Sequence, residues 1–253
     1  MAKAVFIDLA GVVYQGDSLI PGSAGAIARL RAAGVPIRFL TNTTRTPKRL
    51  IAAQLQRMGI SVAEGELFTP ARSAVDWLAA RGMSAHLLVH PALLEDFARC
   101  DGRGGEAVVV GDAGEGFGYD AMNAAFRKLA AGAPLIALAR NRTFLDADGR
   151  LSLDAGGFVS ALEYAARTEA VVLGKPSAEF FATALASAGC AAGDAAMIGD
   201  DAEADIAGAL AAGIGTAVLV RTGKYRSGDE AAFDPRPSKV VADLAAAADW
   251  LLD

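Results

Sequence analysis

Four short apolar segments of the sequence are each followed by polar residues whose side chains could act together. In chain order these residues are Asp8; Thr41, Asn42 and Thr43; Lys175; and Asp200 and Asp201, with Asp205 four positions further on. Carboxylates placed close together repel one another unless a cation neutralises them, and a site made only of oxygen ligands suits Mg²⁺. A hydroxyl, an amide and an ammonium group could hold phosphoryl oxygens beside it. A carboxylate in line with phosphorus would then act as a nucleophile.

Buried strands that alternate with helices would bring these polar residues together. Apolar runs, continuous at residues 4–7 and 195–198 and interrupted only by Arg38 at residues 37–40, alternate with helical stretches, such as residues 47–58 and 178–188. This alternation is typical of a parallel sheet that is covered by helices on both faces. Ligands of such sheets bind at the carboxyl ends of the strands. We therefore predict an α/β fold, a Rossmann-like doubly wound parallel sheet, whose polar strand ends converge on one crevice.

The middle of the chain differs in composition from its two ends. Residues 100–118 and 140–157 are rich in Gly, Asp and Arg, which is typical of loops in an inserted module. We predict a core domain formed by residues 1–74 and 173–253, with a smaller α/β domain inserted at residues 75–172.

The composition excludes several classes of protein. The net charge of −5 over 253 residues leaves no basic surface for nucleic acid or an anionic membrane. No apolar run approaches the roughly 20 residues that span a bilayer, and the first residues do not resemble a signal peptide. The two cysteines, Cys100 and Cys190, are predicted to be reduced thiols. We expect a soluble cytoplasmic protein that acts on a small molecule and has no nucleic-acid or membrane partner.

Two further patterns imitate functional sites. Residues 108–116 resemble a nucleotide-binding turn, but their glycine spacing does not fit it, and Asp112 and Glu115 would repel a pyrophosphate. His86 and His90 bracket a predicted strand, where four residues span roughly 13 Å, too far for both to bind one metal ion. We therefore predict that residues 108–116 form a loop of the insert and that His86 and His90 lie at the surface or at strand ends.

The four polar segments resemble, in order and in type, the four motifs of haloacid-dehalogenase (HAD) superfamily phosphatases. The matching stretches are Asp8-Leu9-x-Gly11-Val12, Thr41-Asn42, Gly174-Lys175-Pro176 and Gly199-Asp200-Asp201-x-x-x-Asp205. The long insert between the second and third motifs resembles the C2-type cap of class IIA members. The resemblance extends over essentially the entire chain, and it implies a HAD core with an inserted cap domain.

The resemblance also implies a role for each catalytic and substrate-binding position. Asp8 matches the nucleophile, which forms an aspartyl-phosphate. Lys175 matches the lysine that neutralises the nucleophile and the phosphate. Thr41 and Asn42 match the phosphate-binding pair, and the neighbouring Thr43 is predicted to bind substrate with them.

The same resemblance implies a Mg²⁺ site. Asp8 and Asp200 match acids that bind the metal, and position 10, here Ala10, matches a residue whose main-chain carbonyl binds it. Asp201 and Asp205 match supporting acids. Two alternatives stay open, because Asp201 could equally be a helix N-cap and Asp205 could lie outside the metal's coordination sphere.

Ala10 departs from the family pattern. Most family phosphatases carry an acid here, which protonates the leaving group and then accepts a proton from the attacking water. Loss of such a group costs on the order of 10²–10⁴-fold in rate, and the loss is greatest for poor leaving groups. Members of the most similar branch also lack this acid, commonly carrying Ser, and include active hydrolases. We therefore predict a Mg²⁺-dependent phosphohydrolase of small compounds with good leaving groups: pyrophosphate, aryl phosphates, acyl phosphates and phosphoramidates.

Two alternatives to this function remain open. The chain could be a catalytically weak or inactive protein that binds a phosphate ligand, or Ala10 could have been engineered from Asp to trap a complex. A residue of the insert could supply a substitute acid, and Asp154 is one candidate. The class IIA resemblance and the apolar composition, 53% hydrophobic residues, are compatible with a homodimer.

Overall fold

The computed structural model describes residues 2–63, 65–145 and 150–253. Its strands are β1 (Ala4–Asp8), β2 (Tyr14–Gln15), β3 (Ser18–Leu19), β4 (Ile37–Leu40), β5 (Leu67–Phe68), β6 (Ser84–Leu88), β7 (Glu106–Val110), β8 (Leu135–Ala137), β9 (Thr143–Leu145), β10 (Leu151–Leu153), β11 (Val171–Val172), β12 (Ala195–Gly199), β13 (Thr216–Val220) and β14 (Lys239–Val241). Its α-helices are α1 (Ser23–Ala32), α2 (Lys48–Arg57), α3 (Pro70–Arg81), α4 (Tyr119–Ala130), α5 (Ala155–Ala166), α6 (Ala178–Ala188), α7 (Gly208–Ala211) and α8 (Leu244–Leu252). A π-helical segment, Ala202–Ala207, leads into α7.

The chain divides into two compact units. One comprises Met1–Thr41, Arg49–Phe68 and Lys175–Asp253, and the other comprises Asn42–Lys48 and Thr69–Gly174. The first unit contains a six-stranded sheet of order β14-β13-β12-β1-β4-β5, and the second a four-stranded sheet of order β11-β8-β7-β6. All neighbouring strands in both sheets are parallel. The predicted α/β fold is confirmed, whereas the cap function of residues 75–172 and its bounds stay predictions.

The sheet of the first unit is covered on both faces. Every residue of β1 is buried, and its alternate side chains contribute to different hydrophobic clusters. Val5 and Ile7 pack in a cluster with residues of α1, α2 and α8, while Ala4 and Phe6 pack in a cluster with residues of α6. Burial of a side chain such as Phe6 or Ile7 stabilises the fold by about 1.5–3 kcal/mol. This two-sided burial explains the continuous apolar run of the strand.

The order and register of the strands align the polar strand ends. Strands β4 and β5 extend the sheet on one side of β1, and β12, β13 and β14 extend it on the other. The reversal between β1 and β12 is the switch point at which open α/β sheets bind ligands. In register, Ile7 pairs with Ile198 and Asp8 pairs with Leu40. The residues that follow β1, β4 and β12 therefore begin at the same edge.

The second unit repeats this two-sided packing on a smaller scale. Val108 and Val110 of β7 pack in a cluster with residues of α4 and α5, while Ala107 and Val109 pack in a cluster with residues of α3. Across the ranges given above, no helix combines the length and the apolar character needed to cross a membrane.

The cysteines and His90 agree with the sequence prediction, whereas His86 does not lie at a strand end. Cys100 and Cys190 are free thiols. His86 lies within β6, and His90 caps the turn after that strand, where its Nδ1 accepts a hydrogen bond from the Ala92 N–H at 3.2 Å.

Candidate active site

Three buried aspartates lie together at the carboxyl ends of the central strands of the first unit. Asp8 is the last residue of β1, Asp200 directly follows β12, and Asp205 lies in the π-helical segment. Their exposed fractions are only 6%, 2% and 1%. One carboxylate oxygen of each aspartate lies within 4.8 Å of the others. We call Asp8, Asp200 and Asp205 the acid cluster.

Lys175 supplies a positive charge inside the acid cluster. Its side chain is 2% exposed, and its ammonium group donates a hydrogen bond to the Asp8 carboxylate and lies 2.6 Å from Asp205 Oδ1. Burial alone would lower the pKa of Lys175, but the charges of Asp205 and Asp8 outweigh burial and raise it above the ordinary value. Lys175 therefore stays protonated and neutralises one of the three acids.

The acid cluster contains more carboxyl groups than one ammonium group can neutralise, so a bound cation would favour their ionised forms. Burial, followed by the charges of Asp8 and Asp205, raises the pKa of Asp200 to about 8. Burial also raises the pKa of Asp205 to about 7, although Lys175 opposes this shift. Asp205 Oδ1 lies 2.6 Å from Lys175 Nζ. Three converging buried carboxyl groups, with a single ammonium group among them, fit a hard divalent cation such as Mg²⁺.

Asp201 has different partners from Asp200, although the two are adjacent. Asp201 Oδ1 accepts hydrogen bonds from the main-chain N–H groups of Glu203, at 3.1 Å, and Ala204, at 2.9 Å. It therefore caps the helical segment, an interaction worth about 0.5–2 kcal/mol. Burial would raise the pKa of Asp201, but the charge of Lys224 and the cap hydrogen bonds lower it. Of the interpretations left open for Asp201, the geometry agrees with the N-cap.

Asp205 belongs to the acid cluster itself. Its Oδ2 accepts a hydrogen bond from the Asp201 N–H at 3.2 Å, and its Oδ1 faces Lys175. A Cβ atom at Gly199 would lie 2.2 Å from the Asp205 Cβ, so a side chain at position 199 would displace this acid. The sequence analysis placed Asp205 among the supporting acids; its carboxylate lies in the acid cluster with those of Asp8 and Asp200, and its role at the metal stays a prediction.

Ala10 lies in a tight turn that follows β1. The Leu9 carbonyl accepts a hydrogen bond from the Val13 N–H at 2.8 Å, and the Gly11 N–H donates to the Tyr14 carbonyl at 2.7 Å. Gly11 adopts a φ of 89°, which an L side chain rarely tolerates. Ala10 is exposed, and its methyl group can neither give nor accept a proton. The turn therefore presents no acid at this position.

The predicted phosphate-binding residues are divided between the two units. Thr41 ends a segment of the first unit; it is buried, and its N–H donates a hydrogen bond to the Phe68 carbonyl at 3.1 Å. Asn42 and Thr43 begin the second unit. The phosphate contacts of all three residues stay predictions.

Asp154, the candidate for a substitute acid, has a structural function in the second unit. It is buried and caps α5, because its carboxylate accepts a hydrogen bond from the Ala155 N–H at 2.7 Å. Its role in proton transfer stays a prediction.

Three consecutive residues after β13 contact the site but were not predicted from the sequence. The Lys224 N–H donates a hydrogen bond to Asp200 Oδ2 at 2.6 Å, and Thr222 Oγ1 donates to the Gly11 carbonyl. A Cβ atom at Gly223 would lie 2.0 Å from Asp200 Oδ2. The signal that could have identified them was their position within four residues of the end of an apolar strand.

A lysine-paired carboxylate in a buried acid cluster, at the switch point of a parallel sheet, is the arrangement expected of a phosphate-handling hydrolase. Residues 5–102 match a family model described as haloacid dehalogenase-like hydrolase, and residues 172–247 match one described as HAD-hydrolase-like. The chain is 42% identical to the phospholysine phosphohistidine inorganic pyrophosphate phosphatase of Rattus norvegicus, over 99% of this chain and 94% of the relative. It is also 42% identical to the human haloacid dehalogenase-like hydrolase domain-containing protein 2, over 99% and 96%. The chain belongs to the haloacid dehalogenase-like hydrolase family.

Solved structures agree with this assignment. The p-nitrophenyl phosphatase from Archaeoglobus fulgidus matches with a TM-score of 0.89 and 25% identity, over 98% of this chain and 99% of that one. NagD from E. coli matches in fold, with a TM-score of 0.84 and 23% identity, over 96% and 97%. A glycerol phosphate phosphatase from Mycobacterium tuberculosis in complex with magnesium matches with a TM-score of 0.82 and 27% identity, over 96% and 75%. The predicted resemblance to class IIA phosphatases is confirmed, and the chain is an enzyme of the HAD phosphatase type.

Proposed function

We propose that the chain is a Mg²⁺-dependent phosphohydrolase that forms an aspartyl-phosphate on Asp8 and acts on small phosphorylated compounds with good leaving groups. The observation that carries this proposal is the buried contact between the Lys175 ammonium and the Asp8 carboxylate inside the acid cluster. A carboxylate that is held beside an ammonium group can approach an anionic phosphoryl group without strong repulsion.

The reaction would proceed in two displacements. The Asp8 carboxylate attacks phosphorus, and the bond from phosphorus to the leaving group breaks, its electron pair departing with the leaving group. Water then attacks the phosphorus of the aspartyl-phosphate and the bond from phosphorus to the Asp8 oxygen breaks, which restores the Asp8 carboxylate; the protons of the water leave with the inorganic phosphate. Lys175 offsets the charge of Asp8 and of the phosphoryl oxygens in both displacements. Mg²⁺, held by Asp8, Asp200 and the main-chain carbonyl of Ala10, would add further positive charge beside these oxygens.

Ala10 determines the preferred class of substrate in this proposal. An alkoxide leaves poorly without a proton donor, and the exposed methyl group of Ala10 supplies none. Phosphoanhydrides, aryl phosphates, acyl phosphates and phosphoramidates lose better leaving groups and depend less on that proton. The names of two similar proteins specify substrates of these kinds: phospholysine, phosphohistidine and inorganic pyrophosphate for one, and p-nitrophenyl phosphate for the other.

We propose a small phosphorylated compound as the partner of the site. The alternative of a protein that only binds a phosphate ligand is less favoured, because several similar proteins are named as phosphatases. A homodimer and a cytoplasmic location stay predictions.

Phosphate release from pyrophosphate and from p-nitrophenyl phosphate, with Mg²⁺ or with a chelator, tests the proposal. We expect Mg²⁺-dependent turnover that Asp8→Asn abolishes. Asp194→Asn is the matched control, because Asp194 is a half-exposed acid whose partner is Lys3, and this variant should keep wild-type turnover. Undiminished turnover in Asp8→Asn would exclude the nucleophile assignment. Binding of Mg²⁺ and phosphate without turnover in the wild type would instead indicate the binding protein.

A further inference from the structure

The residues that follow β13 contact two adjacent acids, Asp200 and Asp201. We propose that Thr222, Gly223 and Lys224 form a positioning segment, which directs Asp200 to the cation and holds Asp201 away from it. This inference rests on the Mg²⁺ site of the proposed function. It assigns a role to three residues outside the four motifs.

Asp200 is held by main-chain atoms of this segment. Its Oδ2 accepts the 2.6 Å hydrogen bond from the Lys224 N–H. The same oxygen lies so close to two glycines that a Cβ atom would be 2.0 Å away at Gly223 and 2.2 Å away at Gly11. These glycines have φ values of 61° and 89°, which L side chains rarely adopt. Glycine at both positions therefore allows the two loops to close around one carboxylate oxygen.

A hydrogen bond from Thr222 connects the positioning segment to the turn that follows β1. Its Oγ1 donates a hydrogen bond to the Gly11 carbonyl, and the two residues are 211 positions apart in the sequence. Gly11 directly follows Ala10, whose main-chain carbonyl is a predicted metal ligand. The threonine hydroxyl therefore links the loop that holds Asp200 to the loop that carries the carbonyl ligand.

The side chain of Lys224 engages the other acid. Its ammonium group lies 3.2 Å from Asp201 Oδ2, while Asp201 Oδ1 caps the helical segment. The side chains of Lys224 and Asp201 are 62% and 26% exposed, so this ion pair contributes little stability by itself. The ion pair instead fixes the orientation of the Asp201 carboxylate, because both of its oxygens have partners outside the acid cluster. One lysine thus binds Asp200 through its main chain and Asp201 through its side chain.

Calorimetric titration of the substrate-free enzyme with Mg²⁺ tests this inference. Thr222→Val removes the hydroxyl and keeps the shape, so we expect the Kd for Mg²⁺ to rise about 2–10-fold, as for the loss of one hydrogen bond. Thr222→Ser should restore the Kd to within about twofold of wild type. Thr183→Val is the matched control, because Thr183 lies on α6 and its hydroxyl also donates to a carbonyl, that of Glu179.

Gly223→Ala provides a second, stronger perturbation. The added methyl group would displace Asp200, so we expect the Kd for Mg²⁺ to rise at least about tenfold. Circular dichroism would establish that the variant folds. If Gly223→Ala does not fold, Thr222→Val and its serine rescue decide the outcome. An unchanged Kd in the folded variants would overturn the positioning role while leaving the proposed function intact. Absence of Mg²⁺ binding in the wild type would overturn both.

Discussion

Replacing Lys175 by methionine tests whether one ammonium group holds the acid cluster together. The Lys175 side chain is 2% exposed and contacts both Asp8 and Asp205. Methionine fills similar space but leaves these two buried carboxylates without their cation. Removal of one partner from a buried ion pair typically costs about 3–5 kcal/mol of unfolding free energy. We expect a loss of that size at pH 8 in the absence of metal.

The pH dependence of this loss follows from Asp205. Its pKa is about 7 in the folded wild type, above its ordinary value of 3.8, so the folded state holds the proton more tightly than the unfolded state. The stabilisation linked to this proton is full below pH 3.8 and is lost as the pH rises through about 7. Lys175 opposes the upward shift, so the pKa of Asp205 should rise further in Lys175→Met. The variant should therefore be closer to wild type in stability at pH 5.5 than at pH 8.

Urea unfolding with a chelator, at pH 5.5 and pH 8, measures the effect. The double variant Lys175→Met/Asp205→Asn lacks one of the two buried carboxylates that Lys175 neutralises. This variant should therefore recover part of the lost stability at pH 8. Lys3→Met is the control, because Lys3 forms an exposed ion pair with Asp194, and its effect should be far smaller. A loss below about 1 kcal/mol for Lys175→Met at pH 8, or no recovery in the double variant, would refute the reasoning.

Three further predictions concern the proton donor and the metal. Ala10→Asp should raise hydrolysis of alkyl monophosphates by on the order of 10²–10⁴-fold, and hydrolysis of p-nitrophenyl phosphate by much less; equal gains in steady-state assays would contradict the proton-transfer argument. Asp200→Asn should abolish Mg²⁺ binding in calorimetry. Asp201→Asn keeps a side chain that can cap the helical segment, so this variant should still bind Mg²⁺. Loss of Mg²⁺ binding in both variants would contradict the separate roles of Asp200 and Asp201. The apparent affinity for Mg²⁺ should fall about tenfold or more from pH 8 to pH 6, because protons compete with the metal at Asp200 and Asp205, whose pKa values are raised to about 8 and about 7. The increase in Tm on addition of Mg²⁺ measures this effect. An increase that is the same at both pH values would exclude the competition.

The sequence alone predicted the fold and the edge at which the site lies. The apolar run before Asp8 has no polar alternation, because β1 is buried on both faces, and such runs predict a parallel sheet. In a parallel sheet the carboxyl ends of neighbouring strands meet at one edge, so the polar residues after β1 and β12 had to be close to one another. The composition and resemblance of those residues then predicted phosphate chemistry and the missing proton donor at Ala10.

Only the tertiary structure showed the contacts that hold neighbouring residues in different environments. The resemblance ranked Asp200 above Asp201 as a metal ligand, and the structure shows their partners: the acid cluster for Asp200, and the helix cap with Lys224 for Asp201. The contact of Thr222 with Gly11 likewise joins loops that are 211 positions apart. Local patterns in a sequence record which face of an element is buried and where it ends. They do not record which distant main-chain groups approach a given carboxylate, because those contacts form only when the whole sheet is assembled.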